Sequence, residues 1–175
     1  MRLRAALAVP AAVSAAAAAL VLTAPQSQAV ARPEPTARCT EQSLTVRAKA
    51  AAGDPTVLRV AVTNRGGRAC AVDRVPTVTF GNLDGAALPV PAGGTGSYRL
   101  AAGGTAYAGV RTIVDPADPE ARRTDSVTVA ASAAHWGRSF TAAELGTGRQ
   151  VLVWEPVTTW WQPTAAAADR AIGLS

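Results

Sequence analysis

The side chains able to do chemistry are few, and they are scattered. His135 is the single imidazole in the chain, so any general-base role, or activation of a nucleophile, would fall to it. It lies in Ala133-Ala134-His135-Trp136-Gly137, with Ser132 and Ser139 near in sequence and Asp125 or Glu144 available to orient the ring. The Gly-x-Ser-x-Gly turn that presents a serine nucleophile is absent from the sequence. The expectation is a surface histidine packed on Trp136 and a chain that is not an enzyme. A hydrolase using His135 is the least favoured alternative.

Other candidates divide in the same way. Asp115, Asp118, Glu120 and Asp125 could offer oxygen ligands to calcium, but their spacing is not that of a calcium loop. Arg122 and Arg123 would compete for those carboxylates, so the segment reads as a solvated loop with salt-sensitive ion pairs. No metal and no cofactor is expected. Gly93-Gly94-Thr95-Gly96 does not lead from a strand into a helix, as a phosphate loop must, and reads as a hairpin connection. The aromatics offer more. Trp154, Trp160 and Trp161 share one segment, Val153 to Pro163. Adjacent residues of a strand point to opposite faces, so Trp160 and Trp161 cannot both enter one core. One would be left outward or covered by the tail. An outward ring could stack on a sugar or a protein partner. Trp160 and Trp161 are therefore the candidate binding surface, and a carbohydrate-binding module is the second reading of the chain.

The elements that would carry these residues begin after an export signal. Met1-Arg2-Leu3-Arg4 is basic, residues 5–24 are mostly apolar, and Ser27-Gln28-Ala29 and Ala29-Val30-Ala31 are small-x-small sites. This is the pattern of a secretory signal peptide over 1–29, cleaved after Ala29 or Ala31. An uncleaved membrane anchor is the competing reading, weakened by the alanine content of the run. Cleavage removes Arg2 and Arg4 but no acid, taking the formal net charge from +5 to +3. With the basic residues dispersed, that argues against nucleic acid as a partner. In an exported chain the two cysteines, Cys39 and Cys70, read as one disulfide.

Residues 30–38 are Pro-rich and charged, and read as an extended tether. Period-2 alternation then dominates. Leu44, Val46 and Ala48 alternate with Thr45, Arg47 and Lys49; Leu58, Val60 and Val62 alternate with Arg59, Ala61 and Thr63. Further strands are expected over 75–80, 86–90, 97–100, 105–114, 126–133 and 150–157. Asp84-Gly85 is a hairpin signal, Asn64 and Gly66 suit a turn of unusual backbone angles, and Pro76 confines its strand to an edge. Short strands at this spacing, without a long helical pattern, indicate an all-β sandwich over 39–163. The alanine-rich tail, 164–175, has room for a turn or two of helix that would be marginal alone.

These residues resemble a known family. Cys39, then Val62-Thr63-Asn64, Gly66, Ala69-Cys70, Val75-Pro76-Thr77-Val78 and Asp84-Gly85 are similar to the actinobacterial secreted domain-of-unknown-function family 4232. Leu100-Ala101-Ala102-Gly103-Gly104-Thr105-Ala106 is similar to its Leu-x-Pro-Gly-x-x-Ala step. The family's usual Gly-Tyr before the proline is Arg74-Val75 here, and its frequent further cysteine is missing. The resemblance implies export and an immunoglobulin-like sandwich of about seven to nine antiparallel strands, and no activity. The resulting expectation is a secreted, monomeric, non-catalytic domain. It would bind an unknown extracellular protein or cell-wall polymer, with no membrane association after cleavage.

Overall fold

A computed structural model describes residues 36–174 of the chain. The signal segment, and the tether as far as residue 35, lie outside the described residues. After a single 3-10 turn, Glu41–Ser43, come β1 (Leu44–Ala51), β2 (Asp54–Asn64), β3 (Cys70–Asp73), β4 (Thr77–Thr79), β5 (Leu88–Val90), β6 (Ser97–Leu100) and β7 (Thr105–Arg111). Then follow β8 (Arg122–Thr124), β9 (Ser126–Ala130), β10 (Arg138–Thr141), α1 (Ala142–Leu145), β11 (Val151–Val153), β12 (Val157–Thr159) and α2 (Ala165–Ile172). One sheet runs β1-β2-β7-β12-β5. Smaller sheets pair β10-β9-β4, β11-β8 and β3-β6.

The all-β, sandwich-like expectation holds, with two corrections. The strands number twelve among the described residues, because several are only three or four residues long. They are also not all antiparallel: β5 joins β12 in parallel. The Asp84-Gly85 hairpin does form locally, with Ala86 bridged to Thr79. The chain then crosses to the other sheet instead of continuing the ladder. The strand expected over 150–157 is likewise two strands in two sheets. Glu155 between them takes φ 44°, and Pro156 follows it, so the extended run is interrupted there.

The apolar faces of β2 (Leu58, Val60, Val62) and β7 (Ala106, Ala108, Val110) pack against Val72, Val78, Val127, Val129 and Phe140 from the opposing strands. A fully buried side chain of this size stabilises by roughly 1.5–3 kcal/mol, so the alternation of β2 and β7 sets where the layers meet. Val57 breaks that alternation: it is on the outer face of β2 yet wholly buried, because it clusters with Ile172 of α2. The tail is thus part of the fold. Thr164 caps α2 by accepting from the Ala167 N–H (3.1 Å), and Gly173 ends it with φ 81°.

The N-terminal segment is ordered before Cys39, contrary to a tether running to 38. The Ala71 N–H donates to the Ala37 carbonyl and the Cys39 N–H to the Ala71 carbonyl. Cys39 is bonded to Cys70, with a Cα separation of 4.9 Å. The disulfide therefore ties this segment to β3.

Asn64 does not take positive φ; neither does Gly66. Asn64 acts through its side chain, which is buried. Its Nδ2 donates to the carbonyls of Arg68 (2.8 Å) and Ala101 (3.0 Å), and its Oδ1 accepts from the Gly66 N–H (2.9 Å). A Cβ on Gly66 would sit 3.1 Å from that Oδ1, a tight contact that glycine avoids.

Candidate functional site

The β9–β10 turn, residues 131–137, is held from two sides. On one side Asp73, at the end of β3, accepts from the Ala133 N–H (2.8 Å), and its own N–H donates to Ser132 Oγ (2.9 Å). The Arg38 guanidinium pairs with the same carboxylate. Burial pushes the Asp73 carboxyl up, but the Arg38 guanidinium, the Ala133 N–H and nearby His135 outweigh it. The net result is a carboxyl held below its ordinary range. On the other side Glu41 accepts from the backbone N–H of Trp136 (3.2 Å) and of Gly137 (2.6 Å). Gly137 has φ 77°, and a Cβ there would lie 2.5 Å from the Val129 carbonyl oxygen. Only glycine allows the chain to turn that tightly against β9.

Within this turn, His135 Nε2 lies 3.1 Å from the Cys39 carbonyl oxygen and so acts as the donor; Nδ1 is buried without a hydrogen-bond partner. Ser132, Ser139, Asp125 and Glu144 do not bond to the ring. Ser132 Oγ serves Asp73 and Arg38, Asp125 accepts from Gln150, and Glu144 forms a capping box with Thr141. The Thr141 N–H and hydroxyl hold Glu144 below its ordinary pKa. His135 is not packed on an inward Trp136 either, since that side chain is 91% exposed.

The tryptophan pair expected as the binding surface divides as adjacent residues should, one ring in the core and the other half-buried. Trp161 is 3% exposed and belongs to the core. Trp160 is half-buried: its indole N–H donates to the Pro91 carbonyl (3.1 Å), and the Arg74 guanidinium lies 4.5 Å from its ring centroid. Neither residue is in a strand. β12 ends at Thr159, and Gln162 is already bridged to Tyr107. The acidic segment differs as well. Asp115 and Asp118 accept from the backbone N–H groups of Ala117 and Glu120, while Arg122 and Arg123 enter β8. Among the described residues no three His, Cys, Asp or Glu are grouped to hold a metal ion. No helix there is long and apolar enough to cross a membrane.

The family model for a domain of unknown function, DUF4232, matches residues 39–161. The chain belongs to this family. No curated protein and no solved structure matches it. The matched range opens on the disulfide cysteine and closes on the core tryptophan, so it spans the sandwich and stops short of α2. Trp136, expected from the sequence only as packing for His135, is instead the large hydrophobic side chain left most exposed among the described residues.

Proposed function

We propose that this DUF4232 domain is a secreted, non-catalytic binding module whose contact surface is centred on Trp136. Trp136 carries the reading: its ring is 91% exposed on a turn whose backbone is fixed by Glu41 and Asp73. A tryptophan offers 150–250 Å² of contact area, and tryptophans are enriched among residues that dominate binding energy. Fixing the backbone beforehand lowers the ordering cost of an encounter. The basic-apolar-small pattern of residues 1–29 supports export, as does the Cys39–Cys70 bond, since disulfides persist in oxidising compartments. Export predicts an N-terminus at Val30 or Arg32; retention of Met1 would favour a membrane anchor. The partner is an extracellular protein or a cell-wall polymer, bound by a monomer with an immunoglobulin-like architecture. With Trp161 in the core, a sugar platform made of Trp160 and Trp161 is not available.

The test is retention of secreted proteins and solubilised cell-wall polymers on the immobilised protein, comparing the wild type with Trp136→Ala and Trp136→Phe. Retention should be lost in the alanine variant and partly kept with phenylalanine, both variants remaining folded by circular dichroism. Retention that is absent, or equal in all three, would overturn the reading.

A further inference from the structure

Among the described residues, the eight of β1 form an edge of the five-stranded sheet, pairing with β2 and no other strand. The direction of each amide follows from the ladder. The Asn64 N–H donates to the Gly104 carbonyl, and the Gly103 N–H to the Asn64 carbonyl, so the even residues of β2 face β7. Alternation turns Thr63, Ala61 and Arg59 toward β1, where their partners are Thr45, Arg47 and Lys49. Val46, Ala48 and Ala50 therefore turn N–H and C=O away from the sheet. No loop or neighbouring strand among the described residues supplies a backbone hydrogen bond to them.

This edge is one wall of a groove. Arg47, Lys49, Arg138 and Phe140 line a cavity of about 640 Å³. A second cavity, about 220 Å³, shares Arg138 with the first and is lined by Val46 and by Gly137, the residue after Trp136 in sequence. The charges around the groove are unequal in their freedom. Both carboxylates on it are engaged internally, Glu41 by the Trp136 turn and Glu144 by Thr141. Arg47, Lys49 and Arg138 form no ion pair among the described residues, and Arg138 stacks on Phe140 at 4.6 Å. The open rim is cationic.

Resting on the reading of Trp136 as a binding anchor, we infer that β1 accepts an extended acidic segment of the partner protein as an added strand. The unpaired amides of Val46, Ala48 and Ala50 supply the main-chain bonds of such an addition. Side chains of the incoming strand alternate. Those on the outer face lie opposite Arg47 and Lys49, where Asp or Glu is favoured and Lys or Arg opposed. Those of the other parity enter the groove over Phe140 and are small or apolar. Basic residues on an edge also discourage indiscriminate pairing. A second copy is disfavoured, since pairing two β1 strands would place two Arg47 and two Lys49 side chains on one face.

The test uses the full chain and fluorescent octapeptides alternating valine with glutamate or valine with lysine. Each is also made with backbone N-methyl groups on one parity or the other. The valine–glutamate peptide should bind, and the valine–lysine peptide at least about tenfold more weakly. Methylation of the pairing parity should abolish binding while the opposite parity is tolerated. Hydrogen exchange at Val46, Ala48 and Ala50 should slow on binding. The exposed double change R47E/K49E should reverse the charge preference. Binding indifferent to methylation, without protection of β1, means surface adsorption and overturns the proposal. So does protection that grows with protein concentration alone, which would make the occupant a second copy, and so does failure of any peptide to bind. Trp136-dependent retention that survives R47E/K49E sinks the strand-addition proposal alone; absence of Trp136-dependent retention sinks the binding-module reading.

Discussion

Gly109→Ala separates two ways of reasoning about the same residue, because they predict opposite signs. Gly109 sits within β7 without a positive φ. Glycine within an element is weaker than alanine by roughly 0.5–1 kcal/mol, and alanine also restricts the unfolded chain. Local reasoning therefore predicts a more stable protein. The packing predicts the reverse. A Cβ at 109 would lie 2.8 Å from both Cβ and Cγ2 of Ile172 and 3.3 Å from the Ala168 carbonyl oxygen. Ordinary carbon contacts need about 3.5–4.0 Å, so α2 would have to lift by the order of 1 Å. These are atoms at the root of a helical side chain, and no rotamer change relieves them. A gap of that size forfeits a quarter to a half of the dispersion well of each contact. The contacts at stake are the buried cluster of Ala51, Val57 and Ile172 with Val90, Val157 and Leu174 around it. The bidentate Arg59–Asp169 pair and the bond from Arg111 Nη2 to the Ile172 carbonyl (3.0 Å) would also be strained. An eight-residue helix is not stable undocked, so lifting it melts it. The net expectation is a loss of about 1–3 kcal/mol, the usual range for overpacking. It is to be read from urea denaturation together with hydrogen exchange of the α2 amides. Unchanged or increased stability with α2 still protected would refute the argument.

Three further expectations follow from other parts of the fold. Cys70→Ala should lower stability by about 2–5 kcal/mol, because the bridge closes a loop between residues 31 apart in sequence; a urea midpoint equal to that of the wild type would count against it. Asn64→Ala should remove about 2–4 kcal/mol, since it strands the Arg68 and Ala101 carbonyls and the Gly66 N–H where the loops converge; a loss under about 1 kcal/mol would show that those groups find other partners. Asp73 has a folded pKa below its ordinary 3.8, so its stabilisation is present above the unfolded pKa and is lost as pH falls through the folded one. Asp73→Asn should therefore flatten the acid limb of the stability curve below about pH 4, and an unaltered limb would place the titration elsewhere.

Legibility followed the physics of each element. β1 and β2 were readable because one face is wet and the other buried, and β6 because it matches the expected 97–100. β3 was missed since Cys70, Ala71 and Val72 are all buried, which erases alternation. β8 and β10 were missed for the opposite reason: each buries a single residue, Thr124 or Phe140, among exposed neighbours. α1 left a legible trace, the Thr141-x-x-Glu144 capping box, that a search for strands overlooks. The disulfide was readable from two cysteines in a chain read as exported. The break between β11 and β12 was marked only by Pro156.

The surface around Trp136 could not be read in this way, and the reason is specific. A tryptophan in a turn between strands is usually folded back onto a sheet, and its local sequence contains no instruction to the contrary. What holds the turn open is remote. Glu41, 95 residues earlier in the chain, takes the N–H of Trp136, and Asp73, 60 residues from Ala133, takes the opposite side of the turn. Both anchors lie near the segment that the Cys39–Cys70 bond fastens to β3. The disulfide is therefore expected to steady the Glu41 carboxylate that holds the Trp136 turn. Breaking it in a protein that stays folded should loosen residues 131–137 before any other turn. Hydrogen exchange of the mildly reduced chain reads this directly, through the amides of Trp136 and Gly137. If those two amides keep their protection while the bridge is open, Glu41 holds the turn without help from the disulfide.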